Sequence, residues 1–184
     1  MKRVYLAGPD VFLPDPMARA AALKAICAAH GLHGVSPLDP LDGGDPAGWA
    51  ALALPLQIAL RNEAHITGCD GLIANLTPFR GPSADAGTVF EVGYMRALGR
   101  PVFGWSNSAA LFVDRTRGFL GSGAATDGEG LLVEDFPGMR DNLMIDGAIA
   151  ASGGVFVTRA AAARWQDLAA FEDCVAQAAA VLRE

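Results

Sequence analysis

Asp85 and Glu91 have the strongest claim to chemistry in this chain. They flank a glycine turn in Ser83-Ala84-Asp85-Ala86-Gly87-Thr88-Val89-Phe90-Glu91-Val92-Gly93-Tyr94, a segment that follows an apolar run and reads as the opening of a helix. A carboxylate is weakly basic yet anionic, which suits it to sit beside a developing cation or to attack one. Gly87 would allow close backbone approach and Gly93 close packing of the helix. A purely structural reading of Glu91 stands beside the chemical one. Thr88 and Glu91 have the Thr-x-x-Glu spacing of a capping box, in which Glu91 would only bond back to the Thr88 amide at the helix start.

Other constellations fall short. His30 and His33 resemble half a metal site, but no further His or Cys supplies the second half, so no metal is expected. His65 falls in a helical pattern and reads as a surface or satisfied core residue. The first apolar run is followed by Gly8-Pro9-Asp10-Val11-Phe12-Leu13 rather than Gly-x-Gly-x-x-Gly, and neither a phosphate-loop motif nor a Gly-x-Ser-x-Gly elbow occurs. No cofactor is expected. Cys27, Cys69 and Cys174 are odd in number and far apart, which reads as buried thiols in a reducing compartment.

The elements that must position the two acids alternate between strand and helix. Val4 to Ala7 reads as a buried strand, Met17 to His30 as a helix closed by Gly31, and Gly34 to Pro37 as a second strand. Asp39 to Gly48 is loop by composition. Trp49 to Thr67 has helical character, with Pro55 implying a kink or a later start. Asp70 to Leu76 is the clearest strand, followed by a loop from Thr77 to Ala86, a helix from Thr88 to Leu98 and a strand from Pro101 to Trp105. Ser106 to Glu134 is rich in Ser, Gly, Asp and Ala and is expected to be a long flexible loop. Gly153 to Val157 and Arg164 to Leu182 read as a final strand and an amphipathic closing helix. Such alternation implies a single α/β domain, residues 1–184, built on a parallel sheet covered on both faces. Ligands bind such sheets at the carboxyl ends of the strands, so the loops after Leu6, Leu76 and Trp105 are the places for a site.

Composition sets the partner classes. Of 184 residues, 52% are hydrophobic, enough for a core that needs no staples, and 14 Lys plus Arg against 20 Asp plus Glu give a net charge of −6. The scattered cations and the acidic balance argue against nucleic acid and membrane surfaces. No apolar stretch is long enough for a signal peptide or a membrane span, so a cytoplasmic location is expected.

Four segments, taken in order, resemble the nucleoside 2-deoxyribosyltransferases. They are Tyr5-Leu6-Ala7-Gly8-Pro9; Cys69-Asp70-Gly71-Leu72-Ile73-Ala74-Asn75-Leu76-Thr77-Pro78-Phe79-Arg80-Gly81; Asp85-Ala86-Gly87-Thr88 through Glu91-Val92-Gly93-Tyr94; and Asp141-Asn142-Leu143-Met144. The likeness is closest to the subgroup with a Ser/Thr-Pro-Phe-Arg-Gly loop. It implies a flavodoxin-like, doubly wound sheet and a cofactor-free exchange of 2-deoxyribose between purine or pyrimidine bases. In that implied reaction Glu91 attacks C1′ of a 2′-deoxynucleoside and holds the sugar as an ester until a second base arrives. Two inversions give retention, the logic of a retaining glycosidase with a base replacing water.

The resemblance also implies roles for other residues. Tyr5 would hydrogen-bond and orient Glu91, Asp85 would accept the sugar 5′-hydroxyl, and Asn142 would be lent to that hydroxyl by a neighbouring subunit, making a homodimer the smallest active unit. Asn62 would lie near the base; Gly8, Phe12 and Met144 complete the candidate substrate-binding set, Phe12 with Pro78 and Phe79 as apolar walls around sugar or base. Each has a structural alternative: Tyr5 as a core aromatic, Asp85 as a turn residue, Asn142 as a loop residue, Asn62 as a solvent-facing helix position and Phe12 as packing. Related nucleoside monophosphate glycosidases carry serine at the Asp85 position to bind a 5′-phosphate, which an aspartate would repel. The expected substrates are therefore free 2′-deoxynucleosides and nucleobases. The proton donor to the leaving base stays open between Asp85 and a protonated Glu91. The rivals are an N-glycosidase that lets water resolve the ester and a nucleoside-binding module without turnover.

Overall fold

The structure, a computed structural model, describes residues 1–121 and 123–183. Five strands are separated by helices: β1 (Lys2–Ala7), α1 (Pro16–Ala29), β2 (Leu32–Val35), α2 (Leu54–Thr67), β3 (Gly71–Asn75), α3 (Ala86–Ala97), β4 (Val102–Ser106), α4 (Phe112–Leu120), α5 (Leu143–Ala151), β5 (Phe156–Thr158) and α6 (Ala169–Arg183). The sheet order is β2-β1-β3-β4-β5 and every pairing is parallel, the flavodoxin-like order. The chain therefore reverses its direction of winding between β1 and β3, where a crevice opens at the carboxyl ends.

Strand parity decides which side chains reach that crevice. Val4 and Leu6 of β1 pack with α1 and α6 on one face, whereas Tyr5 and Ala7 belong to the opposite face, with Ile66 of α2 and Val92 and Met95 of α3. Tyr5 is thus delivered to the same side of the sheet as the helix that carries Glu91. α1 begins at Pro16, with Asp15 capping the Ala18 amide at 2.9 Å. Pro55 lies in the first turn of α2, so that helix starts late, after a separate 3-10 turn at Trp49–Ala51.

Several sequence expectations need correction. The segment from Ser106 to Glu134 is not one loop: it contains α4 and an antiparallel bridge between Thr126 and Leu132. The helix expected from Thr88 begins at Ala86, because Asp85 caps it, so Thr88 lies inside the first turn and the Thr88–Glu91 capping box does not form. The closing helix starts at Ala169 rather than Arg164, and α5 was not expected as a helix. The three cysteines are buried free thiols, and burial pushes Cys69 up to about 11 and Cys27 to about 12. His65 is buried and satisfied, with Nε2 3.0 Å from the Asp39 carbonyl. Among the described residues no helix is long and apolar enough to cross a membrane.

Candidate active site

Glu91 sits on α3, one turn in from its start, and faces a cavity of about 930 Å³ at the β1/β3 crevice. The walls come from Gly8, Val11 and Phe12 after β1, from the segment Pro37 to Asp45 after β2, and from one face of α2. The fully buried Tyr5 donates its hydroxyl to Glu91 Oε1 at 2.8 Å, and Asn62 of α2 offers Nδ2 to the same oxygen at 3.4 Å. Burial raises Glu91 to about 7; the Tyr5 hydrogen bond opposes that rise, the nearby Asp85 charge adds to it, and Asn62 opposes it. Burial, followed by the Glu91 charge, pushes Tyr5 far above the usual phenol range, so it stays a donor. The Asn62 Oδ1 atom is buried without a partner among the described residues.

Asp85 has two tasks available to it. Its Oδ2 accepts from the Thr88 amide at 3.0 Å and the Thr88 hydroxyl at 3.1 Å, which caps α3, yet the residue also lines the cavity beside Glu91. Gly8 lines it as well, and no larger residue fits there: a Cβ would lie 2.7 Å from both Asn75 Cβ and Asp10 Oδ2. Phe12 lines the rim, 59% exposed, stacked on Phe79 at 5.5 Å with the Arg80 guanidinium over both rings. Asn142 and Met144 are not part of this wall. Asn142 caps α5 through Oδ1 to the Met144 amide at 3.0 Å and donates Nδ2 to Glu134 at 2.7 Å, while Met144 is 71% exposed.

Two supporting clusters escaped the sequence reading. Asp10 holds the turn after β1: it accepts from Arg19 Nε at 2.7 Å and from Asn75 Nδ2 at 2.8 Å, joining that turn to α1 and to the end of β3. Asp141, wholly buried, accepts from the Ser83 hydroxyl, the Ala84 amide at 3.1 Å and Arg115 Nη2 at 3.2 Å. It thereby ties the segment leading into Asp85 to α4 and to the start of α5. The signals were present, Asp10 directly after Gly8-Pro9 and Asp141 directly before Asn142, but nothing local says that either carboxylate is buried.

The pattern of the nucleoside 2-deoxyribosyltransferase family matches residues 4–144. The chain belongs to this family. A 2-deoxyribosyltransferase from Leishmania mexicana superposes with a TM-score of 0.60 at 31% identity, covering 82% of this chain and 96% of that one. An uncharacterised protein of Schizosaccharomyces pombe is 35% identical over 167 residues, 82% of this chain and 78% of its own length. A conserved protein from Enterococcus faecalis shares the fold, with a TM-score of 0.57 at 22% identity over 97% of this chain and 99% of that one. The match to the deoxyribosyltransferase family takes in Tyr5, Asn62, Asp85, Glu91 and Asn142 alike, so every segment that builds the cavity falls inside it.

Proposed function

We propose that this deoxyribosyltransferase family member moves 2-deoxyribose from one nucleobase to another through an ester on Glu91. A Glu91 oxygen forms a bond to C1′ as the C1′–N bond breaks; the electron pair leaves on the base nitrogen, which takes up a proton. An incoming base then gives its nitrogen lone pair to C1′, releases Glu91 as a carboxylate and loses its N–H proton. Tyr5 keeps the carboxylate aimed and supports its charge before attack. The missing 2′-hydroxyl lets the sugar carry positive charge more readily in both transition states.

The observation that carries this reading is the division of labour at the start of α3. Asp85 satisfies the helix end, so Glu91 is free of capping and is held instead by Tyr5 and Asn62 at a cavity wall. The same division favours nucleosides over nucleotides. A helix start is a natural phosphate site, and here a carboxylate already occupies it. Asp85 then accepts the 5′-hydroxyl, and Asn142, outside the cavity wall of its own chain, reaches that hydroxyl from a second copy in a homodimer or larger assembly.

Incubation with 2′-deoxyguanosine, with and without hypoxanthine, tests the reaction. Deoxyinosine is the expected product; guanine released without an acceptor would mean hydrolysis, and no change would mean binding alone. Glu91→Ala should abolish transfer, and substantial retained activity would overturn the nucleophile assignment. Asp85→Ser keeps a capping oxygen but loses the charge, so nucleoside kcat/KM should fall about tenfold or more while nucleotide use rises.

A further inference from the structure

Beyond the sugar end, the cavity has a second polar feature. Leu54, Ile58, Arg61 and Asn62 of α2 all line it, a spacing that places them on one helix face. Asn62 reaches Glu91, so the reacting centre lies at that end, and Arg61 is its immediate neighbour. The Arg61 guanidinium is fastened edge-on to Asp45: Nε donates to Oδ1 at 3.0 Å and Nη2 donates to Oδ2. Both Asp45 oxygens are thereby engaged by Arg61. The third guanidinium nitrogen, Nη1, takes no partner among the described residues. The result is a fixed donor group with no matching acceptor to offer, set among Leu54 and Ile58, which are 63% and 46% exposed and suited to the faces of a flat ring.

We propose that Arg61, oriented by Asp45, selects 6-oxopurines as the exchanged bases. This rests on the reading that the cavity holds a nucleoside with C1′ at Glu91. A 6-oxopurine such as hypoxanthine or guanine presents two acceptors, O6 and N7, side by side on its major-groove edge, the pattern that arginine recognises. Adenine replaces O6 by an amino donor, which would face a donor. Pyrimidines lack N7: thymine and uracil offer a single acceptor on that edge, and cytosine an amino donor. Discrimination arises because a mismatched base covers this donor without pairing it, a larger effect than a missing apolar contact.

The test partitions one glycosyl-enzyme between two acceptors. With 2′-deoxyguanosine as donor and equal hypoxanthine and adenine, the ratio of deoxyinosine to deoxyadenosine reports acceptor choice alone. We expect the native protein to favour deoxyinosine at least tenfold, and Arg61→Gln to lower that ratio about tenfold or more. Arg61→Lys keeps the charge but not the fork and should lower it too. Asp45→Asn should act through Arg61, raising KM for hypoxanthine with kcat little changed. A native ratio near one or favouring adenine, or a ratio unmoved in both Arg61 variants, would overturn the proposal. If the native protein forms neither nucleoside, the transfer reading fails separately. Calorimetric binding then decides the base edge by itself: tighter binding of hypoxanthine than adenine, lost in Arg61→Gln, supports it, and equal binding overturns it.

Discussion

Glu91 is poised between its two protonation states at neutral pH. Its value of about 7 means that the carboxylate form, the one the proposed attack requires, predominates above that pH and is lost below it, so the transfer rate should climb as pH rises through about 7. Tyr5 supports the charged form, and removing its hydroxyl leaves burial less opposed. Tyr5→Phe should therefore shift this acid limb to higher pH and lower the plateau rate about tenfold or more, as a pH–rate profile of both proteins would show. A Tyr5 that served only as core packing would lower stability without moving the limb. The pairing of Tyr5 with Glu91 spans 86 residues of sequence, and no local pattern contains it; only the resemblance of ordered segments did. The Thr88-x-x-Glu91 spacing misled for the converse reason. It is a purely local signal, and Asp85, three residues earlier, already met the same amide.

At the scale of elements, α3 is aimed by what precedes it. Asp141 gathers Ser83, Ala84 and Arg115 into one buried cluster, and Arg115 further donates to the carbonyls of Pro82 at 2.7 Å, Ala110 at 2.6 Å and Arg140 at 2.6 Å. Replacing Asp141 by Asn leaves Arg115 without its carboxylate in a desolvated place. The expected cost is about 3 kcal/mol, read from the denaturant midpoint, with an unchanged dependence on denaturant concentration. The strands were legible because β1, β3 and β4 are continuous apolar runs, as strands covered on both faces must be. α4 and α5 were not. α4 mixes charged residues with Gly118, and α5 carries Gly147 among alanines and isoleucines, so composition resembled loop in one case and indistinct filler in the other. α4 is fixed by the contact of Arg115 with Asp141 and α5 by its packing on α3 and β4, which no helical pattern reveals.

At the scale of the molecule, the sheet order places the crevice between β1 and β3; a parallel sheet followed from alternation of elements in the sequence, and its flavodoxin-like winding from the family resemblance. The relation of Asn142 to the cavity did not, because it depends on where α5 stands. Phe90 of α3 and Leu143 and Met144 of α5 are 59%, 41% and 71% exposed, and these two helices pack together, which gives a second copy an apolar face to cover beside Asn142. If Glu91 and Asn142 of one site come from different chains, two inactive variants can complement. Mixing Glu91→Ala with Asn142→Ser, which retains a capping oxygen, should regain about a quarter of native activity after subunit exchange. Sites built within one chain would show no recovery.

The clasp of Asp10 by Arg19 and Asn75 bears on how fast a ligand is captured. The turn after β1 is anchored to α1 and β3 by the chain's own side chains, so the protein itself sets that wall of the cavity. Encounter then needs no preceding rearrangement of this turn. In stopped-flow measurements the observed rate of association should rise linearly with nucleoside concentration. Loosening the clasp with Asp10→Asn should instead make that rate level off, as an isomerisation of the empty protein begins to limit entry.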